Sequence, residues 1–217
     1  ALATQQGTTL FNLILSAFEL FLSRLSGQQE LVMGVSIAGQ TQFADRDLVG
    51  HCINMLPLRR AVDPTASFAT HLRATHLAML DAFEYQHVGF GEVVKALKLP
   101  RDPSRIPLVS VLFNLDSAMG RLDYHGLQVE SGSNPRSFEN FDWFVNVVQV
   151  TNGLVLECTH NSDLFDPCTI QNRLEEYATL LQEIVADVQQ PVASYSMLPE
   201  AERYLQLVAW NATAQES

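Results

Sequence analysis

The sequence predicts an α/β protein, of α+β or mixed α/β type, in which helices cover a sheet. Three amphipathic helices alternate along the chain with short apolar runs that are typical of strands. Two of these runs, 143–150 and 154–160, flank Thr151-Asn152-Gly153, and an Asn-Gly pair between strands indicates a tight turn. Hydrophobic residues occupy 47% of the 217 positions, so the chain can bury a sizeable core.

The first long helix is predicted over residues 8–26 and is apolar on nearly all sides. Gly27 is a natural stop, because glycine tolerates the left-handed conformation that ends many helices. A narrow polar stripe follows the helical spacing of three and four residues and consists of Thr9, Asn12, Ser16, Glu19, Ser23 and Ser26.

The other helices are predicted from the same periodicity. A helix over 68–84 has Ser67 as its N-cap, a short helix near 92–97 follows, and Asp166-Pro167 opens the third long helix. The predicted inner faces are Phe68, Leu72, Thr75, Met79 and Phe83 in the second long helix, and Ile170, Leu174, Tyr177, Leu181, Ile184 and Val188 in the third.

Apolar or alternating runs predict further strands at 31–37, 51–58 and 109–115. Residues 116–141 are rich in Gly, Ser and Asn, which favours a long loop, with a hairpin at 122–129. Pro199 begins a last short amphipathic helix that ends near Trp210. We expect residues 191–217 to form a linker on the surface rather than a second domain.

The chain is acidic, with 24 Asp and Glu against 13 Lys and Arg and a net charge of −11. This balance disfavours nucleic acid and anionic membranes as partners, because both attract basic patches. The apolar stretches are too interrupted to span a membrane, and the three cysteines lack CxxC spacing, so a cytoplasmic protein with reduced thiols is expected. The first residue is Ala1, which suggests an excerpt from a longer polypeptide or removal of an initiator Met.

No complete catalytic constellation is found in the sequence. The six histidines include no pair at helical zinc spacing, so no metal site is expected. Residues 34–39 miss the spacing of a nucleophile elbow by one position, and Gly89-Phe90-Gly91 lacks the third glycine of a dinucleotide loop. No catalytic residue is therefore predicted within the chain.

Asn54 is the polar side chain that the sequence singles out. On the predicted strand it shares a face with Cys52, Leu56 and Leu58, so its amide must find partners or remain at a desolvation cost. Two interpretations are open: a core asparagine bonded to nearby backbone, or an amide placed in a cavity to hold a substrate carbonyl or amide.

The octapeptide Arg101-Asp102-Pro103-Ser104-Arg105-Ile106-Pro107-Leu108 predicts a rigid corner before the strand at 109–115. The two prolines fix φ twice and bias the preceding residues towards extended geometry. Asp102 and the arginines can lock the bend with charge-assisted hydrogen bonds. A structural turn is favoured over a catalytic site.

Three segments, in order, resemble the C-terminal lobe of nonribosomal peptide synthetase condensation domains. The first, residues 49–59, carries Asn54 at the family's asparagine, with Cys52 where an aromatic is usual. The third is the octapeptide, which departs from the family only at Ile106. The second, residues 85–91, matches at Gln86 and Phe90 but departs at His87, Gly89 and Gly91. Further similarity extends the resemblance over essentially the whole chain.

The resemblance implies a chloramphenicol-acetyltransferase-like lobe, a two-layer sandwich, over residues 1–190, and a linker toward a following adenylation domain over 191–217. It implies that Asn54 faces a tunnel, whereas Arg101, Asp102, Ser104 and Arg105 brace the fold. The tunnel admits the phosphopantetheine arms of two peptidyl carrier proteins, and no cofactor binds the chain directly. There the amine of one tethered substrate attacks the thioester of the other, and a peptide bond forms.

The double-histidine motif of that family belongs to the N-terminal lobe and is absent from this chain. The chain then resembles half of an acyl-transfer enzyme that is inactive alone and needs its N-terminal lobe as partner. A non-catalytic lobe that binds carrier or adjacent domains is the alternative, permitted by the acidic surface and the altered second segment. A free-standing acyltransferase that uses coenzyme A thioesters ranks last, because such proteins carry their own histidine motif.

Overall fold

The computed structural model describes residues 1–38, 50–100, 102–117, 125–128 and 138–212. The chain divides into two compact units. The first comprises residues 1–31, 60–79 and 168–217, and the second comprises 32–59 and 80–167. Within the described ranges, no helix is long and apolar enough to cross a membrane.

The five described strands form one mixed sheet in the order β2-β1-β3-β4-β5. Strand β1 is parallel to β3, and β3 is parallel to β4, whereas β4 and β5 are antiparallel. The strands are β1 (Glu30–Ala38), β2 (Ile53–Ala61), β3 (Val111–Ser117), β4 (Trp143–Val150) and β5 (Gly153–His160). The predicted mixed α/β fold class is confirmed.

The strands that differ most from the sequence prediction are β2 and β3. Strand β2 is displaced to Ile53–Ala61 from the predicted 51–58, and β3 begins at Val111 rather than at 109. The later start of β3 along the chain has a local cause. Leu108 has a φ of 71°, and the Val109 N–H donates to the Pro107 carbonyl at 2.9 Å. This γ-turn keeps Leu108 and Val109 out of the extended strand.

The predicted hairpin between β4 and β5 is confirmed, with Val150 paired to Gly153 across a two-residue loop. Most of the second predicted hairpin, at 122–129, lies outside the described residues, as does most of the predicted loop at 116–141.

The helices are α1 (Leu2–Gln5), α2 (Leu10–Ser26), α3 (Phe68–Glu84), α4 (Phe90–Leu97), α5 (Pro167–Ala186) and α6 (Glu200–Tyr204), the last continued by a π-helical segment, Leu205–Ala209. Thr9 caps α2 by accepting from the Asn12 N–H at 3.2 Å, and Gly27 ends it with a φ of 68°. The Ser67 hydroxyl accepts from the Thr70 N–H at 3.2 Å, which confirms its predicted capping role.

The predicted inner face is confirmed for most of α3 but only for half of α5. Helix α3 buries all the predicted residues except Phe83, which is 39% exposed and lies in the last turn; His71 is buried in addition. Helix α5 buries Ile170, Tyr177 and Ile184 as predicted. The predicted Leu174, Leu181 and Val188 are only half-buried, and Glu176 and Leu180 are buried in addition.

The expectation that the segment after residue 190 lies on the surface is wrong for its first part. Val192 and Tyr195 are fully buried in the first unit. Tyr195 donates to the Asp187 carbonyl at 2.6 Å and meets Phe68 edge-to-face, with ring centroids 6.2 Å apart. These apolar anchors secure the segment to the unit that contains α3 residues 68–79.

The polar stripe of α2 is buried from Asn12 to Ser23, with Thr9 and Ser26 exposed at its ends, and Glu19 is fully buried near its centre. Glu19 Oε1 accepts from Arg60 Nε at 3.0 Å. Glu19 Oε2 accepts from the Thr75 hydroxyl at 2.8 Å and lies 3.1 Å from His71 Nε2. One carboxylate thus joins α2, the end of β2 and α3 within the first unit.

Removing this carboxylate leaves the Arg60 guanidinium buried without its partner. We expect Glu19→Ala to lower the free energy of unfolding by about 3–5 kcal/mol, the usual cost of breaking a buried ion pair from one side. Urea unfolding followed by circular dichroism measures the change.

The control is Glu175→Ala, which removes an exposed carboxylate of α5 that accepts a hydrogen bond from Gln171 Nε2 at 2.9 Å. That surface substitution should change the free energy of unfolding by less than about 0.5 kcal/mol. Equal losses in the two variants would contradict the central role of Glu19.

Gly34 in β1 permits a close approach that a side chain blocks. A Cβ atom there would lie 2.8 Å from the Met55 sulfur and 2.9 Å from side-chain carbons of Leu112 and Val109. We expect Gly34→Ala to destabilise the protein by about 1–3 kcal/mol through overpacking. Gly153→Ala in β5, which meets no atom within 4 Å, is the matched control; a similar loss there would point to a general effect of strand glycines.

Candidate functional site

Asn54 lies in β2 and uses its amide fully. Its Nδ2 donates to the carbonyls of Gln86 and Val88, both at 3.0 Å, and its Oδ1 accepts from the Met55 N–H at 2.9 Å. The side chain is half-buried. The sequence left two interpretations of Asn54 open. The structure contains the backbone hydrogen bonds that the first of them, an asparagine bonded to nearby backbone, requires.

These bonds bring two of the three singled-out segments together. Gln86 and Val88 belong to residues 85–91, which connect α3 to α4, and Asn54 belongs to residues 49–59. Because the contacts are to carbonyls, they are independent of the side chains that vary at His87 and Gly89. The asparagine can therefore hold this connection even where the second segment departs from the family pattern.

The octapeptide turn is locked by Asp102 and Ser104 rather than by an arginine. Asp102 Oδ1 accepts from the Ser104 N–H at 2.9 Å and from the Ser104 hydroxyl at 2.6 Å. These two bonds, and then the charge of Arg105, lower the pKa of Asp102. The stabilisation is present above the carboxyl's unfolded-state pKa and is lost as the pH falls through the lowered value.

Arg105 faces a different carboxylate from the one expected. Its Nη1 lies 3.9 Å from Asp142 Oδ2, a long contact with a half-exposed guanidinium, and the Asp142 N–H donates to the Ser110 carbonyl at 2.9 Å. The turn is thereby placed against the residue before β4. Arg101 lies outside the described residues.

The second and third segments also share a surface. Gly91, which ends the second segment, and Asp102, Pro103 and Pro107 of the octapeptide line one pocket in the second unit. The structure thus places parts of all three segments in one compact unit, through the Asn54 bonds and through this pocket.

Sequence reasoning missed a polar row that crosses three strands. Asn114, Asn146 and Glu157 are register partners on β3, β4 and β5. Asn114 Nδ2 donates to Asn146 Oδ1 at 2.9 Å, and Asn146 Nδ2 donates to Glu157 Oε2 at 3.2 Å. The only signal in the sequence is an asparagine within each of two apolar runs, and it becomes visible only once the register is known.

Cys158 and the grouping of possible metal ligands bear on what chemistry the described residues can perform. Burial, and then the charge of Glu139, raise the pKa of Cys158 to about 11, so this cysteine is a thiol rather than a thiolate at neutral pH. In the described part of the chain, no three His, Cys, Asp or Glu side chains are grouped so that they could hold a metal ion. The arrangement offers hydrogen-bonding groups and a shaped surface.

Residues 1–207 match the Condensation domain family, and the chain belongs to that family. Its relatives include tyrocidine synthase 3 of Brevibacillus parabrevis, 33% identical over 98% of this chain, and surfactin synthase subunit 1 of Bacillus subtilis (strain 168), 29% identical over 97%. The chain spans only 3% and 6% of the lengths of these two proteins.

Solved structures share the fold at low sequence identity. A four-domain nonribosomal peptide synthetase bound to AMP and glycine matches 94% of this chain with a TM-score of 0.81 and 23% identity, over 17% of its own length. The X-domain from teicoplanin biosynthesis matches 90% of this chain with a TM-score of 0.82 and 18% identity, over 46% of its length. The expected chloramphenicol-acetyltransferase-like fold is confirmed.

Loss of the Asn54 amide should release the connection between α3 and α4. We expect Asn54→Ala to lower the free energy of unfolding by about 1–3 kcal/mol, because two half-buried carbonyls lose their donors. Asn54→Asp should cost more, since its carboxylate would face the same carbonyls without a donor. Urea unfolding measures both.

The exposed Asn172 of α5 supplies the control, and Asn172→Ala should change stability by less than about 0.5 kcal/mol. If Asn54→Ala leaves the unfolding midpoint unchanged, the two bonds do not contribute to stability. That result would favour the other interpretation of Asn54, an amide placed in a cavity to hold a substrate.

Proposed function

We propose that this chain is the C-terminal lobe of a nonribosomal peptide synthetase condensation domain, and that it forms one wall of the tunnel in which a peptide bond is made. The observation that carries the proposal is the pair of bonds from Asn54, which joins two family segments within a chain of that family. The lobe assignment is supported by coverage, because the chain spans 46% of a matched single domain, the X-domain.

The reaction proposed for the complete domain is aminolysis of a thioester. The amine of the acceptor attacks the carbonyl carbon of the donor, the carbon–sulfur bond breaks, and the sulfur leaves as the thiol of the donor's carrier. Both substrates are tethered through phosphopantetheine arms to peptidyl carrier proteins. Holding two tethered substrates in register supplies much of the acceleration, because it converts encounter into an intramolecular step.

This chain's residues would shape and position rather than move protons. Asn54 serves as a positioning residue: it fixes the connection at Gln86–Val88, and Asp102 with Ser104 fixes the turn that leads to β3. The proton-handling histidines are expected in the N-terminal lobe. The lobe alone is therefore inactive, and its partners are that lobe, the carrier proteins and an adenylation domain after the linker at 191–217, in the cytoplasm.

A second candidate is a non-catalytic lobe that binds carrier or adjacent domains. The departures at His87, Gly89 and Gly91 favour it, since the second segment has lost its usual residues. A further support is the match, at a TM-score of 0.80, to an X-domain from teicoplanin biosynthesis in complex with OxyB.

The deciding experiment joins this chain to the segment encoded upstream in its gene and supplies two aminoacyl carrier proteins. Mass spectrometry of the carrier-bound product should show a dipeptide with the complete domain and only background with the chain alone. Replacement of the upstream histidines by alanine should return the complete domain to background. Asn54→Ala in the complete domain should lower turnover more than it lowers stability, if Asn54 positions the substrates. Equal losses of turnover and stability would indicate that Asn54 serves only folding.

Dipeptide formation by the chain alone would overturn the lobe proposal. A complete domain that is folded and binds carrier proteins but forms no product would favour the second candidate.

A further inference from the structure

The chain contains only two lysines, Lys95 and Lys98, among its 217 residues. Lys95 lies in the last turn of α4 and Lys98 is the residue that caps it. Both line the same pocket, which has a volume of about 760 Å³. In a chain of net charge −11, this pocket gathers every ammonium side chain that the sequence has.

The remaining lining is mostly apolar and stiff. Prolines and aliphatic side chains form the walls: Val94, Leu99, Pro100, Pro103 and Pro107. Prolines lose little conformational freedom when a ligand covers them, so binding against such a wall costs little conformational entropy. A concave site of this volume, with apolar walls and a few charged groups, has the character of a small-molecule site.

One carboxylate, that of Asp102, also lines the pocket. Its Oδ1 is already the acceptor of two hydrogen bonds from Ser104, at 2.6 and 2.9 Å. Its negative charge is therefore compensated in part within the turn. Two ammonium groups against this one carboxylate leave the described lining with a surplus of positive charge.

We propose that this pocket binds a small organic phosphate, with the phosphate between Lys95 and Lys98 and an apolar body against the proline wall. Two flexible ammonium groups match a phosphate dianion better than they match a ligand with a single carboxylate, because each ammonium can contact a different phosphate oxygen. The site is separate from the amide of Asn54, and its existence does not depend on the proposed condensation activity.

A simpler role for the lysines is to interact with the carbonyls at the end of α4, where cations are favoured. That role predicts no preference for one anion over another and no contribution from the apolar wall. The two explanations therefore differ in the affinity that they predict for a phosphate monoester relative to inorganic phosphate.

The scarcity of lysine makes the experiment direct. Reductive ¹³C-methylation of these 217 residues labels Lys95, Lys98 and the N-terminal amine of the expressed protein, and the methylated amines keep their charge. The labelled protein is titrated with phenyl phosphate, inorganic phosphate and phenol at constant ionic strength, and the methyl signals are followed by NMR. Lys95→Arg and Lys98→Arg, made singly, assign the two signals.

We expect both lysine signals to shift with phenyl phosphate, while the signal of the N-terminal amine stays in place. Phenyl phosphate should bind about fivefold to tenfold more tightly than inorganic phosphate, because the ring covers apolar wall. Phenol should shift neither signal at the same concentration.

Charge-matched variants test the lysines themselves. Lys95→Gln with Lys98→Gln should weaken phenyl phosphate binding at least about tenfold, measured by ³¹P NMR of the ligand. Arg73→Gln with Arg203→Gln changes the net charge equally at exposed positions of the first unit and should leave binding unchanged. Circular dichroism checks that both variants are folded.

Equal affinity for phenyl phosphate and inorganic phosphate would overturn the proposal, as would equal weakening in the two double variants. Absence of any shift at the lysines would also overturn it. Each of these results would leave the lysines with the role of interacting with the helix end alone.

Discussion

The buried carboxylate of Glu19 is the constraint on which the first unit depends. A fully buried charge is tolerated only when it is paired and hydrogen-bonded, and Glu19 has Arg60, Thr75 and His71 within 3.1 Å. These partners come from α3 and the end of β2, so that one side chain of α2 specifies where both elements lie in the unit. The polar stripe of α2 therefore serves to orient its neighbours.

In the described part of the second unit, amides and turns hold the elements together, and the buried charged residues lie in the first unit. Asn54 ties β2 to the connection before α4 through two carbonyls, and Asp102 with Ser104 closes the turn before β3. Bonds to backbone tolerate substitution around them, which explains how the fold persists while His87, Gly89 and Gly91 depart from the usual residues of the family. A site built this way presents shape and fixed hydrogen-bonding groups, and that is what the proposed role of positioning tethered substrates requires.

Much of the fold was predictable because its signals are local. The caps at Ser67 and Gly27, the hairpin at β4–β5 and the fold class follow from residues only a few positions apart. The errors arose where distant contacts decide: Phe83 continues the periodicity of α3 yet stays exposed, and Tyr195 follows the end of α5 and Pro191 yet is buried against Phe68. A periodic pattern identifies a face, but only packing decides how far along the element that face is covered.

The sequence by itself determined the helices, the strands, the hairpin and the family to which the chain belongs, since each follows from local spacing or ordered motifs. Only the tertiary structure decided the sheet order, the partners of Glu19 and Asn54, and the meeting of Lys95 and Lys98 at the octapeptide's pocket. Arg60 lies 41 residues from Glu19, and Gln86 lies 32 from Asn54. Polar groups so far apart in the sequence meet only when the whole chain folds, and their burial makes such hydrogen bonds necessary.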